Sequence, residues 1–163
     1  MEGGERNLAR PHQVERIVGE PVDLLLRVGQ EPGAVERLLA IEEEILQALE
    51  IPYRVVNIAV DDLGASAAKK YDLEGWLPGQ QRYRELTSTS NTTDFQARRL
   101  DIRYRPERGG PRHVCTLNGT AVAVSRTLIA LLENHQRDDG SVTVPDVLTA
   151  WGAPAELGVS GRA

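Results

Sequence analysis

The sequence predicts an α+β fold in which an antiparallel sheet is flanked by helices. Three observations predict it: β-rich runs joined by turn residues over 53–90, an amphipathic pattern over 34–50, and an apolar helical pattern over 120–132. Strands joined by hairpins, with helices before and after them, are typical of an antiparallel sheet whose one face is covered by helices.

The first half of the chain contains the clearest elements. The apolar run at 22–28 predicts a strand, and residues 34–50 predict an amphipathic helix with its acidic run, 42–44, on the side away from the sheet. Pro52 ends that helical pattern. The strands that follow are predicted at 53–60, 70–77 and 81–90, the last two joined by a Pro-Gly-Gln connection.

The second half is predicted to close the sheet and then cover it. Residues 91–100 predict a turn or short helix, and two strands at 101–105 and 112–117 are joined by a loop that contains Gly109 and Gly110. The apolar helix at 120–132 completes the core. The small, polar residues 151–163 predict a flexible C-terminal tail, which leaves residues 1–150 as one domain.

Composition excludes several classes of protein. A single cysteine, Cys115, excludes a disulfide framework and favours a cytoplasmic location. No secretory leader or membrane-spanning run is recognisable, so no membrane partner is expected. The net charge of −5 argues against a generally basic nucleic-acid coat, although the arginines at 98–105 are a candidate local basic patch. The three histidines lack the spacing of a zinc site or a serine triad.

Arg126 is the least expected residue of the apolar helix. Its neighbours at helical spacing include Val122, Ile129 and Ala130, which would place the guanidinium on an apolar face. An unpaired buried charge is costly, so the arginine should meet an anion. Local sequence leaves two choices, an acidic side chain of this chain or the phosphate or carboxylate of a ligand.

Oxygen-bearing side chains concentrate on the predicted hairpin. Alternation along the first strand places Asp72 and Glu74 on one side, about 7 Å apart, where simple solvent exposure is the alternative to a functional role. In the next strand Glu85 precedes a run of serine and threonine residues. A carboxylate with hydroxyls suits a hard cation such as Mg²⁺ bound together with substrate phosphates, whereas a polar sheet edge is the structural alternative.

Two long segments carry a resemblance to a known family. The run "PYRVVNIAVDDLGASAAKKYDLEGWLPGQQRYRELTSTSNTTDFQARRLDIRYR" and the run "HVCTLNGTAVAVSRTLIALLENHQRDDGSVTVPDVL" resemble the C-terminal half of the seryl-tRNA synthetase catalytic domain, a class II aminoacyl-tRNA synthetase. The resemblance covers about residues 10–148. It implies a truncated class II catalytic core over 1–150, ATP and Mg²⁺ as cofactors, and serine and tRNA(Ser) as partners.

The resemblance also implies roles for individual residues. Arg126 matches the motif 3 arginine that holds the ATP γ-phosphate, and Glu85 and Ser88 in "ELTS" match the ATP and Mg²⁺ segment, which includes Leu86 and Thr87. Arg126 and Glu85 are therefore the expected catalytic residues. The expected serine-binding residues are Thr120 and Asn118 in "LNGT" and Arg10 in "RPHQ".

One conflict arises within these assignments. Strict alternation would place Glu85 and Ser88 on opposite faces of the strand, although both are expected to bind the same ion. A bulge or a strand end between them would reconcile the two assignments, and bulges occur beside active sites.

Several parts of the family pattern are not matched. The tRNA-binding arm, motif 1 and the α-phosphate arginine of motif 2 are expected to be missing, and Val14 and Val18 replace the adenine-stacking phenylalanine and the ammonium-binding glutamate. The activity implied is a serine-tRNA ligase with little or no activity of the chain alone. The alternatives are a non-catalytic module that binds a nucleotide or partner, a chain that needs a complementing N-terminal half, and a carrier-protein aminoacylating relative. The missing strands also predict self-association, including a homo-oligomer.

Overall fold

The computed structural model describes residues 33–158 of the chain. The predicted strand at 22–28 and the predicted serine-binding residue Arg10 lie outside that range. In chain order the elements are α1 (Ala34–Ala48), β1 (Tyr53–Asn57), β2 (Lys69–Leu77), β3 (Arg82–Asn91), α2 (Phe95–Leu100), β4 (Arg103–Tyr104), β5 (Arg112–His113), β6 (Leu117–Gly119), α3 (Val124–His135), β7 (Val142–Thr143), α4 (Asp146–Thr149) and β8 (Glu156–Leu157).

The main sheet has four antiparallel strands in the order β1-β2-β3-β6. The β2–β3 hairpin forms as predicted, and its connection is a single 3₁₀ turn over Pro78–Gln80. Strand β6 is short and pairs only with Thr89 to Asn91, so most of β3 has no strand on its second side within the described residues. The predicted α+β class with an antiparallel sheet is therefore confirmed.

One face of the sheet carries the hydrophobic core. Leu73, Leu77 and Leu86 point from the sheet toward Leu46 of α1 and Ala130 of α3, and all five are buried. The ring of His135 also lies 2.9 Å from the carbonyl oxygen of Leu49, which joins the C-terminal ends of the two helices. Both helices therefore cover the same face, and the other face is left for polar side chains.

Helix α3 differs from its prediction in position and in burial. It begins at Val124 instead of residue 120, and within it only Thr127 and Ala130 are buried. Val124 is 74% exposed and Ile129 is 44% exposed. The helix predicted to complete the core is therefore buried along one narrow stripe only, and most of its apolar residues are exposed.

Helix α1 forms as predicted, but its acidic side was assigned wrongly at one residue. Glu42 is only 2% exposed, whereas Ile41 is 36% exposed. Glu42 lies seven residues from both Val35 and Leu49, which are buried, so helical geometry places all three in one stripe.

The segments outside the main sheet form two small sheets. Strands β4 and β5 pair with each other, as predicted from the two runs around Gly109 and Gly110, although each is only two residues long. Strand β8 pairs with β7 and includes residues that the domain prediction assigned to the tail. The flexibility of 151–163 stays a prediction. Within residues 33–158, every helix is too short or too polar to traverse a lipid bilayer.

Candidate functional site

A β-bulge in β3 decides which side chains share the polar face. Leu73 pairs with Thr87 and the next residue, Glu74, pairs with Glu85, so Leu86 is an extra residue in β3. Leu86 and Thr87 both turn toward the helices, where they are 1% and 2% exposed. Glu85 and Ser88 therefore point to the opposite, polar face together. The bulge predicted from the sequence is confirmed.

The same pairing brings two more carboxylates to this face. Asp72 lies opposite Ser88, and Glu74 lies opposite Glu85. Asp72 is neutralised by Lys70, with 2.8 Å between Oδ1 and Nζ, and Glu74 by Arg54, with 2.6 Å between Oε2 and Nη2. Glu85 makes no ion pair with any residue in 33–158. Its carboxylate is therefore the one available for a cation from a ligand.

Strand β6 adds the predicted serine-binding residues beside Ser88. Asn118 lies opposite Ser90, and the amide of Thr120 donates a hydrogen bond of 3.1 Å to the carbonyl oxygen of Ser88. Both Asn118 and Thr120 are exposed. Four of the predicted residues, Glu85, Ser88, Asn118 and Thr120, are thus brought together on adjacent strands.

Arg126 reaches the same region from the first turn of α3. Its Nη1 donates a hydrogen bond of 2.7 Å to the carbonyl oxygen of Glu85, on the edge of β3 where residues 33–158 supply no partner strand. The Arg126 side chain is exposed, so the expected burial of its charge was wrong, whereas its contact with an anion stays a prediction. Within residues 33–158 this is the one hydrogen bond recorded for the guanidinium, which has further N–H donors that could bind an anion.

Two of the predicted ATP-binding residues have side chains on the other face. Leu86 belongs to the hydrophobic core, and the hydroxyl of Thr87 is buried. Their main-chain atoms are the parts that a nucleotide on the polar face can contact.

The donor set fits Mg²⁺ only in combination with a ligand. Among residues 33–158, no group of three or more histidine, cysteine, aspartate or glutamate side chains has the arrangement of a metal site. The Glu85 carboxylate and the Ser88 hydroxyl are hard oxygen ligands on one face, and Mg²⁺ is typically held by one or two such groups together with substrate phosphates. The site therefore fits a nucleotide-bound Mg²⁺ better than a free ion.

Glu42 is an acidic residue whose burial was not predicted from the sequence. Neither carboxylate oxygen has a hydrogen-bond partner within the described part of the chain, and Oε1 lies 3.3 Å from the place that a Cβ would take at Gly119. Burial raises the pKa of the Glu42 carboxyl to about 7, and the charge of Asp72 adds to the shift, although the nearby Thr87 hydroxyl and Thr120 main chain oppose it. The helical stripe that contains Val35 and Leu49 is the signal that could have revealed its burial.

Comparison with known proteins places the chain in a family. Residues 6–135 match the tRNA synthetase class II core domain (G, H, P, S and T). The chain belongs to the class II tRNA synthetase core family. This class II core is 63% identical over 127 residues to the serine–tRNA ligase of Rubrobacter xylanophilus, which covers 78% of the chain and 30% of that relative. It is 52% identical over 146 residues to the serine–tRNA ligase of Nocardia farcinica, which covers 90% of the chain and 34% of that relative.

Solved structures agree with this assignment. The class II core matches the seryl-tRNA synthetase of Pyrococcus horikoshii complexed with ATP, with a TM-score of 0.71, 55% identity and coverage of 74% of this chain and 27% of that one. It also matches the cytoplasmic serine-tRNA ligase of Naegleria fowleri in complex with AMP, with a TM-score of 0.72, 41% identity and coverage of 78% and 31%. The resemblance to seryl-tRNA synthetases is confirmed, and the chain spans about a third of the length of these relatives.

Proposed function

We propose that this chain forms the part of a serine-tRNA ligase site that holds the ATP γ-phosphate, Mg²⁺ and the serine hydroxyl. The observation that carries the proposal is the bulge at Leu86, which brings Glu85 and Ser88 to one face beside Thr120 and Arg126. Without the bulge the two oxygen ligands would lie on opposite faces of the sheet. Similarity to serine–tRNA ligases supports serine as the amino acid.

The proposed division of roles follows from the chemistry of each group. The guanidinium of Arg126 suits the oxygens of a terminal phosphate, because its planar fork can donate two parallel hydrogen bonds. Glu85 and Ser88 would hold Mg²⁺ against the phosphates. A metal ion bound there would offset the negative charge of the phosphates as the α-phosphate is attacked.

Serine would be held on the β6 side of the same face. Thr120 and Asn118 can exchange hydrogen bonds with the serine hydroxyl, and Arg10 is proposed to contact its carboxylate. The reaction supported by the family is attack of the serine carboxylate on the α-phosphate of ATP. It yields seryl-adenylate and pyrophosphate, followed by transfer of the seryl group to the 3′ end of tRNA(Ser).

The 163-residue polypeptide is proposed to bind ATP weakly and to have little ligase activity by itself. Val14 stands where the family has the phenylalanine that stacks on adenine, and Val18 stands where it has the glutamate that accepts the serine ammonium. Loss of a charge-assisted hydrogen bond typically costs about 1.5 to 3 kcal/mol. Weak binding of both substrates is therefore expected even where the phosphate contacts are present.

Calorimetry with ATP tests the nucleotide part of the proposal. We expect weak binding that requires Mg²⁺ and that decreases at least tenfold in Arg126→Ala, since about 1.4 kcal/mol of binding free energy corresponds to a factor of ten. Arg82→Ala is the matched control, because Arg82 is exposed, lies in the same strand as Glu85 and has, among the described residues, a side-chain hydrogen bond to Gln80 alone. Submicromolar affinity, or equal affinity in Arg126→Ala and the unsubstituted chain, would show that the nucleotide site has been misplaced.

A further inference from the structure

Two acidic side chains are neighbours on the polar face, but they differ in their partners. Glu74 and Glu85 are paired across β2 and β3. Directly opposite residues of antiparallel strands typically have Cβ atoms about 4.5 to 5.5 Å apart, which is close enough for two carboxylates to share one cation. Glu85 makes no ion pair with a residue in 33–158, whereas Glu74 is bound by Arg54. One of the two carboxylates is therefore neutralised and the other is not.

Arg54 holds Glu74 through two nitrogens of its guanidinium. Nε donates a hydrogen bond of 2.7 Å to Oε2 of Glu74, and Nη2 lies 2.6 Å from the same oxygen. The Arg54 side chain is 57% exposed and that of Glu74 is 24% exposed. An ion pair with this exposure contributes little to the free energy of unfolding. Its main effect is therefore on where the Glu74 carboxylate lies and on the charge of the polar face.

Aromatic side chains at the end of the hairpin hold the guanidinium of Arg54 in place. Its Cζ lies 4.6 Å from the centroid of the Tyr83 ring, which is within the range of a cation–π contact. Tyr83 in turn packs edge-on against Trp76, with 5.1 Å between the ring centroids. If Arg54 turned away from Glu74, it would lose both the ring contact and the ion pair.

The other acid of β2 on this face is also paired with a cation. Asp72 lies opposite Ser88, and its Oδ1 is 2.8 Å from Nζ of Lys70. Each acid of β2 that lies opposite a proposed ligand residue of β3 is thus neutralised. A divalent cation at Glu85 would then meet one uncompensated carboxylate of the described residues, and it would keep a net positive charge toward the phosphates of a nucleotide.

We propose that Arg54 makes the metal site depend on a nucleotide, because it holds the Glu74 carboxylate that a free divalent cation would otherwise bind. This inference rests on the proposed function, in which Glu85 and Ser88 hold the metal against the phosphates of ATP. The affinity of a site for a divalent cation depends on the number of charged ligands. With Glu74 bound by Arg54, phosphate oxygens supply the charge that the site lacks. Arg54 is a positioning residue, since it acts through Glu74 and does not touch the metal.

The experiment measures binding of Mn²⁺ alone, without ATP or serine, by electron paramagnetic resonance of the unbound ion. Mn²⁺ binds the same kinds of oxygen ligand as Mg²⁺. The unsubstituted 163-residue chain should bind Mn²⁺ weakly. Arg54→Gln should bind it more tightly by a factor of about ten or more, because the released Glu74 carboxylate joins Glu85 as a second charged ligand.

Further substitutions test whether the two carboxylates supply the gain. Arg54→Gln combined with Glu74→Gln should bind Mn²⁺ as weakly as the unsubstituted chain, and Arg54→Gln combined with Glu85→Gln should also lose the gain. Arg84→Gln is the charge-matched control, because Arg84 is exposed, lies in β3 and donates a side-chain hydrogen bond to Gln80. An equal gain in Arg84→Gln would mean that net charge alone raises the affinity. That result, or a gain that survives Glu74→Gln, would overturn the proposal.

A second variant prevents a folding defect from deciding the result. Arg54→Lys keeps the positive charge and should show a smaller gain, because an ammonium group is a point charge that lacks the planar fork of arginine. Thermal unfolding checks that each variant is folded, and unchanged Mn²⁺ affinity in the folded Arg54 variants would refute the role of Arg54. Calorimetry with ATP separates the two proposals. ATP binding that depends on Arg126, without a gain in Mn²⁺ affinity, contradicts this inference alone, whereas a gain without ATP binding contradicts the proposed function alone.

Discussion

The unsubstituted chain should lose stability as pH rises through neutrality, and Glu42→Gln should remove this loss. The Glu42 carboxyl has a pKa of about 7 in the folded chain, because burial disfavours its charged form, and 4.5 as its ordinary value. Between these values the folded state keeps a proton that the unfolded state has released. The free energy of unfolding therefore falls as pH rises through this window, by about 3 kcal/mol in all, since one pKa unit corresponds to about 1.4 kcal/mol.

The assay is urea unfolding of the unsubstituted chain and of Glu42→Gln at pH 6 and pH 8.5, both above the sequence isoelectric point of 5.3. As pH rises from 6 to 8.5, titration of Glu42 should lower the free energy of unfolding of the unsubstituted chain by about 1.4 kcal/mol. Glu42→Gln should not show this loss. The prediction concerns the change in unfolding free energy between pH 6 and pH 8.5 in each protein. It does not concern their absolute stabilities, because a buried glutamine needs hydrogen-bond partners of its own.

Glu44→Gln is the matched control, because Glu44 lies on the same helix with an exposed side chain. It should follow the pH profile of the unsubstituted chain. If the unfolding free energies of Glu42→Gln and Glu44→Gln respond equally to the change from pH 6 to pH 8.5, the buried Glu42 carboxyl does not titrate in this range.

Three other predictions concern the core, the chemistry and the surface. Gly75→Ala should lower the free energy of unfolding by about 1 to 3 kcal/mol, because a Cβ there would lie 2.4 Å from Leu86 Cδ1. Urea unfolding should show no comparable loss in Gly64→Ala, where nothing lies within 4 Å. The 163-residue polypeptide alone should catalyse no serine-dependent exchange of pyrophosphate into ATP, and exchange that disappears in Glu85→Ala would establish a serine-activating enzyme instead. Purified chain should self-associate, since Leu128 and Leu132 are exposed on α3. A clean monomer in sedimentation at tens of micromolar, with no binding of a hydrophobic dye, would contradict that expectation.

The local order of strands was predictable from sequence, because it depends on neighbouring residues. The hairpin follows from two β-rich runs and a Pro-Gly connection. The bulge was one of two geometries that would let Glu85 and Ser88 share a face, as the family resemblance requires, and the register shift after Leu73 confirms it. The hairpin needed only nearby residues, whereas the bulge could not have been inferred without the family resemblance.

The burial of the helices was not predictable in the same way. Apolar residues such as Val124 and Ile129 read as core residues, but which helix residues meet the sheet depends on how α3 crosses it, and that is a tertiary property. Glu42 shows the opposite error. Its charge predicted exposure to solvent, although its helical position places it in the buried stripe of α1. Arg126 was located near Glu85 through family resemblance and not through the burial argument that first drew attention to it.

The bulge couples packing in the hydrophobic core to the geometry of the polar face. Leu86 fills the space above Gly75, and the Cβ that Gly75 lacks would lie 3.3 Å from Ile51 as well. The register that aligns Glu85 with Ser88 is therefore maintained by aliphatic packing on the far side of the sheet. A substitution at position 51, 75 or 86 would change the relative positions of Glu85 and Ser88, although none of the three substituted residues lies on the polar face. Loss of function in such variants would resemble damage to the site while all of its polar residues stayed intact.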